Sequence, residues 1–394
     1  MRSRYLCMQV FVVLFLSFSA GVLQGAEREV VIGYAVSITG KFAEGGNDTQ
    51  RGYQVWLDRI NKEGGLPVGN QRRPVKFVSY DDESDASNCA KLYERLINRD
   101  KVDLVLSPWG SGNNFAASAV TEKYHYPLIM VSGAAENIFE RGFKYIFETS
   151  NLPTTHMETW RDFLKAYKND IKTAAILYEN FLFTVSMDKA LTGFIEEAGV
   201  KLVMNEKYPL SGKDFTGLLL KVKAMNPDAL FVLNIMPASI YVTRQAREVG
   251  VTPKVFMVNI GPMFREEFIV ALGDLSEKVF ETGFWHRDLL FRGNKEFAAA
   301  YETKYGKECS SNSADAYTSC QLLEQAVKKA GTTDREKVAE VLHKEKFESI
   351  RGPFEYDARG VNKVQKDFIN QVQNRKRVIV WPKELASAKP EFMR

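Results

Sequence analysis

The chain has 394 residues, too many for one compact core, and 45% apolar with 26% charged residues is the balance of a folded protein, not a disordered one. Fifty-three basic against forty-nine acidic residues leave a net charge of +4, too weak a bias to direct the chain to nucleic acid or to an anionic lipid surface.

Arg2 and Arg4 precede an apolar run, Val10–Phe18, and the small residues Ser19-Ala20-Gly21 and Gly25-Ala26 follow it. This pattern predicts a secretory signal peptide over residues 1–26, since the run falls short of the roughly 20 residues that span a bilayer. Cys7 stands ahead of the apolar run, so no lipoprotein anchor is expected, and the mature chain is expected in the periplasm. Export permits disulfides. Three cysteines follow the signal, an odd number: Cys89, Cys309 and Cys320. Cys89 and Cys320 lie on apolar helical stripes and are expected to fill core; a Cys309–Cys320 bridge is left open.

Strand-like and helix-like segments then alternate. Val30–Ser37 reads as a strand; Gln50–Asn61 reads as a helix with Tyr53, Trp56, Leu57 and Ile60 on one face, and Asn47-Asp48-Thr49 is expected to cap it. Strands Pro74–Tyr80, Val102–Leu106 and Pro127–Val131 enclose helices Ala86–Asn98 and Asn113–Lys123. The rhythm restarts after Thr149 with helices Thr154–Tyr167, Thr184–Ala198, Phe215–Met225 and Ala238–Val249. Strands Thr173–Tyr178, Lys201–Asn205, Ala229–Asn234 and Lys254–Val258 alternate with them. Short, nearly continuous apolar runs suit parallel strands covered on both faces. Such alternation predicts a doubly wound α/β architecture, and about nine or ten strands before residue 290 predict two lobes. Helices Lys295–Tyr305, Ser313–Ala330 and Arg335–His343 follow, then strands Gly352–Tyr356, Asp367–Gln373 and Arg377–Trp381, the last two forming a hairpin about Asn374-Arg375.

Traces of catalysis are missing. The four histidines, His125, His156, His286 and His343, show no metal-ligand spacing, and no P-loop or GxSxG elbow is present. The glycine-rich stretch Gly110–Phe115 lacks both the closing small residue and the downstream acid of a dinucleotide site. Small residues at two neighbouring strand ends, Gly110–Asn113 and Ser132–Ala135, instead suggest half of a ligand cleft, where backbone N–H groups at a helix start suit a carboxylate. Tight βα turns would use the same residues.

Six segments in order, Ile32–Gly40, Asn61–Leu66, Tyr80–Asp85, Val105–Ser111, Glu140–Phe147 and Arg244–Gly250, resemble the branched-chain amino acid-binding family. These are the periplasmic type I substrate-binding proteins of ABC importers. The resemblance implies two doubly wound parallel-sheet lobes joined by three hinge crossovers, near Phe147–Ser150, Thr282–Trp285 and Gly352–Tyr356. Lobe 1 would comprise residues 27–149 plus 286–351, and lobe 2 residues 150–285 plus 352–394. It further implies a monomer that closes on a small molecule, docks on an inner-membrane ABC permease, and has no cofactor and no catalytic activity.

The family's carboxylate loops match Ser111, Gly112 and Asn113, and Ala134, Ala135 and Glu136. Ser111 would use its hydroxyl and amide, and Ala134 and Ala135 their backbone. Glu136 would either pair a ligand ammonium or act as a solvated helix-start acid. In the second lobe Phe183, Ile235 and Met236 stand where the family covers its ligand with aromatics, and Ile260 stands near its ammonium-binding glutamate. With Trp109 and Phe42 these give an apolar wall. The implied ligand is a branched-chain or other apolar amino acid or a related organic acid. Two alternatives remain: a carboxylate lacking an α-amino group, and a binding protein that reports its ligand to a receptor.

Overall fold

The structure is a computed structural model that describes residues 28–263 and 265–393; the expected signal segment lies outside the described residues. The first body opens with β1 (Val30–Val36), α1 (Ala43–Lys62), the hairpin β2 (Leu66–Val68) and β3 (Gln71–Arg73), β4 (Val75–Asp81) and α2 (Ala86–Asn98). It continues with β5 (Leu104–Val105), α3 (Ser111–Lys123), β6 (Leu128–Met130), the single turn α4 (Glu136–Phe139) and β7 (Ile146–Glu148). β1 lies in parallel between β4 and β5, and a bridge from Trp109 to Val131 carries the sheet on to the parallel pair β6–β7.

The second body contains α5 (Pro153–Ala166), β8 (Thr173–Glu179), α6 (Leu182–Glu197), β9 (Lys201–Tyr208) and α7 (Thr216–Met225). β10 (Ala229–Leu233), α8 (Ala238–Glu248), β11 (Val255–Val258) and β12 (Val279–Gly283) complete its parallel part. The chain then returns to the first body as α9 (Asn294–Tyr305), α10 (Ser311–Ala330), α11 (Arg335–Lys344) and the hairpin β13 (Phe347–Ser349) and β14 (Gly352–Phe354). It ends with β15 (Phe368–Gln373) and β16 (Lys376–Trp381), which extend the second sheet to the order β16-β15-β12-β11-β10-β8-β9. β15 runs antiparallel to β12, and Asn374 and Arg375, with φ of 53° and 56°, make the tight hairpin turn. The α/β fold of two doubly wound bodies is therefore as the alternation predicts. No helix of the described residues is long and apolar enough to cross a membrane.

Three details differ from the sequence reading. α1 begins seven residues earlier than the apolar face announces, and Gly45 and Gly46, which look like a loop, are helical and buried. A Cβ on Gly46 would stand 1.9 Å from the Ser37 carbonyl oxygen, and one on Gly45 would stand 2.3 Å from the Trp109 ring. Close approach to β1 and to Trp109 therefore fixes both residues. Asn47 and Thr49, expected to cap this helix, lie inside it and bond back to the carbonyls of Ala43 and Gly45. Finally, Gly352–Tyr356 does not cross between the bodies. β14 pairs with β13, and Phe354 and Tyr356 join the first core, where the Tyr356 ring packs on Phe147 and on Phe354. The chain passes to the second sheet later, between Asn362, whose N–H bonds Glu148, and Phe368. All three described cysteines are buried and unpaired.

One ion pair ties the crossings together. Arg351, in the turn between β13 and β14, donates from Nη1 to Asp315 Oδ1 (2.5 Å) and to the Thr149 carbonyl (2.6 Å), and from Nε to the Phe284 carbonyl (3.3 Å). Asp315 Oδ2 accepts from the hydroxyl of Ser150 (2.5 Å) and the N–H of Ser132 (3.0 Å). Both charged side chains are fully buried. Removing one member of such a pair strands the other charge in a low-dielectric interior. Asp315→Ala is thus expected to lower unfolding free energy by about 3–5 kcal/mol, read from urea denaturation; a loss below about 1 kcal/mol, the range of surface pairs, would show that the pair is dispensable.

Candidate functional site

Beyond the carboxyl ends of the strands the two bodies face each other across a small, largely apolar cavity. Its mouth is closed by rings. After β5 the chain turns at Trp109, whose indole rests against Gly45 and stacks on Phe181 of the second body at 6.5 Å and 11°. Phe42 lies 5.7 Å from Trp109 and 5.5 Å from Phe181, so three rings meet between the bodies. Ile235 completes this cluster. It is placed there by Glu179 at the end of β8, whose carboxylate accepts the N–H groups of Ile235 (3.1 Å) and Ser211 (2.6 Å) and whose pKa burial raises.

The first body contributes Trp109, Gly110, Ser132, Ala134 and Asn312 to the cavity wall. Ser132 holds a left-handed φ of 51°, and its hydroxyl donates to Asn312 Oδ1 at 3.1 Å. Asn312 Nδ2 and Trp109 Nε1 are both buried N–H donors without a protein partner. The second body contributes Phe183, Ile260, Met263, His156 and Phe284. Ile260 has φ of 55°, a conformation that is strained for a β-branched residue and that clusters at functional sites. Thr282 and Ser150 also reach the wall, but their hydroxyls engage Trp160 and Asp315. The lining holds no acidic side chain. Asp315 lies one layer behind, bonded as described, and Asp367 stands behind His156.

Of the residues expected from the sequence, Trp109, Ala134, Phe183 and Ile260 line this cavity, and Ile235 sits among the closing rings. The others do not reach it, each for a local reason. The Ser111 hydroxyl accepts the Ala135 N–H at 3.1 Å, so that donor is taken inside the fold. Asn113 donates to Asp82 at 2.8 Å and fixes the β4–α2 connection. A Cβ on Gly112 would meet nothing within 4 Å, and Met236 belongs to the core of the second body. Glu136 lies outside the cavity lining and accepts the Thr154 N–H (3.1 Å) and hydroxyl at the start of α5. Sequence reasoning missed Phe181, His156, Asn312 and Asn259. Phe181 alone carried a signal, two positions before Phe183 in the same strand-to-helix turn.

Comparison with known proteins follows the geometry. The periplasmic binding protein family model matches residues 29–376. Among curated proteins the chain is similar to a leucine-, isoleucine-, valine-, threonine- and alanine-binding protein of Pseudomonas aeruginosa, 27% identical over 85% of this chain and 87% of that one. It is also similar to Leu/Ile/Val-binding protein homolog 7 of Brucella melitensis, 24% identical over 92% of this chain and 94% of that one. The fold matches the branched-chain amino acid transporter substrate-binding protein LivJ of Streptococcus pneumoniae in complex with isoleucine (TM-score 0.80, 24% identity, 89% of this chain and 98% of that one). It matches equally an R. palustris ABC transporter solute-binding protein in complex with benzoate (TM-score 0.77, 19% identity, 92% and 100% coverage). These matches bear out the resemblance that the six segments carry.

Two predictions follow from the wall. Phe181→Ala removes two ring pairs between the bodies, each worth about 0.5–1.5 kcal/mol beyond burial. Small-angle scattering of the variant is expected to give a larger radius of gyration than the parent, and an unchanged radius would show that the rings do not hold the mouth shut. Behind Met263, whose N–H it accepts at 2.9 Å, buried Glu281 has its pKa pushed up to about 7 by desolvation. The folded state then keeps a proton that the unfolded chain releases from about pH 4.5. The stability advantage of Glu281→Gln over the parent is expected to widen from pH 4.5 to 7 and level off above, measured by denaturation across pH; a constant difference would contradict the raised pKa.

Proposed function

The chain belongs to the periplasmic binding protein family, and we propose that it is the extracytoplasmic solute-binding component of an ABC importer, capturing a small carboxylate with an apolar or aromatic body and no α-ammonium. One observation carries the choice of ligand: among the described residues the cavity wall combines rings and aliphatic side chains with neutral polar groups and His156, two of its N–H donors lack a partner, and no carboxylate lines it. An ammonium group enclosed there would lose its hydration without gaining a counter-charge, at a cost of several kcal/mol. A carboxylate meets the opposite situation, since it is acceptor-only and the orphaned groups are donors. Of the ligand classes implied by the sequence resemblance, the wall therefore favours the organic acid over the amino acid. The benzoate complex of the R. palustris protein supports this choice, and the isoleucine complex of LivJ represents the other.

The remainder of the proposal follows from the family. The protein binds and releases its solute unchanged, works as a monomer in the periplasm, and presents its closed form to an inner-membrane permease. The relatives are named as binding proteins, which supports a binder over an enzyme.

The test is a thermal-shift and calorimetric panel on residues 27–394. Benzoate, 4-hydroxybenzoate, phenylacetate and 4-methylpentanoate are set against phenylalanine, leucine and isoleucine. At 100 times Kd a ligand adds about 2.7 kcal/mol of stability. At least one of the deaminated acids is expected to produce that gain while its amino-acid counterpart does not. Leucine or isoleucine binding more tightly than every acid in the panel would overturn the ligand choice.

A further inference from the structure

We propose that His156, paired with buried Asp367, is the group by which the second body grips the ligand's carboxylate, so that an ionic contact accompanies closure of the cleft; this rests on the reading of the ligand as a carboxylate. His156 lies in the first turn of α5, immediately after the first crossing, and Asp367 lies at the last crossing, immediately before β15. The imidazole is about 95% buried and lines the cavity, its ring set edge-on to Phe183 (5.7 Å) and Phe284 (6.1 Å), which line it too. Nδ1 stands 2.6 Å from Asp367 Oδ2, the separation of an ion pair, although neither atom makes an in-line hydrogen bond to the other or to any third group. Asn151 holds the other Asp367 oxygen at 2.7 Å, which fixes the carboxylate.

This arrangement decides which edge of the ring is free. With Nδ1 beside Asp367, the Nε2 edge is the one left for a ligand in the cavity that the ring lines. Among the described residues no hydrogen bond reaches Nε2. An imidazole donates from both nitrogens only when it carries the second proton, the form that a carboxylate on each side of the ring favours. The other unpartnered donors of the wall, Trp109 Nε1 and Asn312 Nδ2, belong to the first body. A carboxylate accepting from all three would bridge the bodies. Of the first-body groups that the sequence suggests for this task, the Ala135 N–H is taken by the Ser111 hydroxyl and the Asn113 amide by Asp82, which leaves Ala134 at the cavity wall. Asp367 is a positioning residue here, and His156 determines specificity.

Calorimetry on the parent, His156→Gln and Asp367→Asn tests the assignment with matched probes: benzoate against benzamide, and 4-methylpentanoate against its amide. The amide keeps shape and removes charge. The parent is expected to prefer each acid to its amide. In His156→Gln the affinity for the acid falls about ten- to a hundredfold while amide affinity changes less than about threefold, so the preference collapses. Asp367→Asn, which leaves the imidazole and removes the charge that supports it, is expected to reduce the same preference, and it provides a second readout if the first variant folds poorly. An acid-to-amide ratio that survives in both variants overturns the role of His156 while leaving the ligand reading intact. A parent that binds leucine but neither acid overturns the ligand reading, and the His156 assignment with it.

Discussion

The buried pair of Arg351 and Asp315 is the constraint on which the rest of the molecule depends. Its bonds reach the first crossing at Thr149 and Ser150, the second at Phe284, the turn of the last hairpin in the first body, and the cavity wall at Ser132. Few buried charges pay for themselves in stability, because desolvation offsets most of the attraction. The gain here is positional: one guanidinium, with its fixed fork of donors, sets the spacing of chain segments that share no sheet and no helix. The wall and the hinge therefore share atoms, and a ligand that presses on Ser132 presses on the pair that holds the crossings.

Around that frame the cavity combines two kinds of contact. Phe42, Trp109, Phe181 and Ile235 close the mouth by non-directional burial, which favours closure without selecting a ligand. Selection under the proposed function falls to the polar groups of the wall, of which Trp109 Nε1 and Asn312 Nδ2 are donors without a protein partner. Two backbone positions at the wall, Ser132 and Ile260, hold left-handed φ values, one from each body. Conformations of that kind persist where the surroundings over-determine them; Asp315 fixes the first, and the hydroxyl of Ser239, bonded to the Ile260 carbonyl at 3.1 Å, fixes the second. Strained backbone is thus located on both sides of the cavity.

The alternation of strands and helices was legible because each strand is a short apolar run and each helix shows its buried stripe, as in Tyr53, Trp56 and Ile60 of α1. The start of α1 was not, since Gly45 and Gly46 read as a loop and only the nearness of Ser37 and Trp109 explains them. Trp109, Phe183 and Ile260 could be placed because the family resemblance covers the segments that hold them. His156 could not, because on α5 it looks like one more member of the stripe with Met157 and Trp160, and its partner Asp367 lies 211 residues away. Asn312 belongs to the run Ser310–Asp315, whose polarity suggests an exposed helix cap, whereas every residue of it is buried. Motifs within one segment were visible to the sequence reading; contacts created where three crossings converge were not.

The most direct measurement is native mass spectrometry of the protein isolated from its own cells without added ligand, followed by unfolding and identification of the released molecule. The account predicts one small monocarboxylate per chain, with an apolar body and no amino group. A released amino acid, sugar or nucleotide would contradict it.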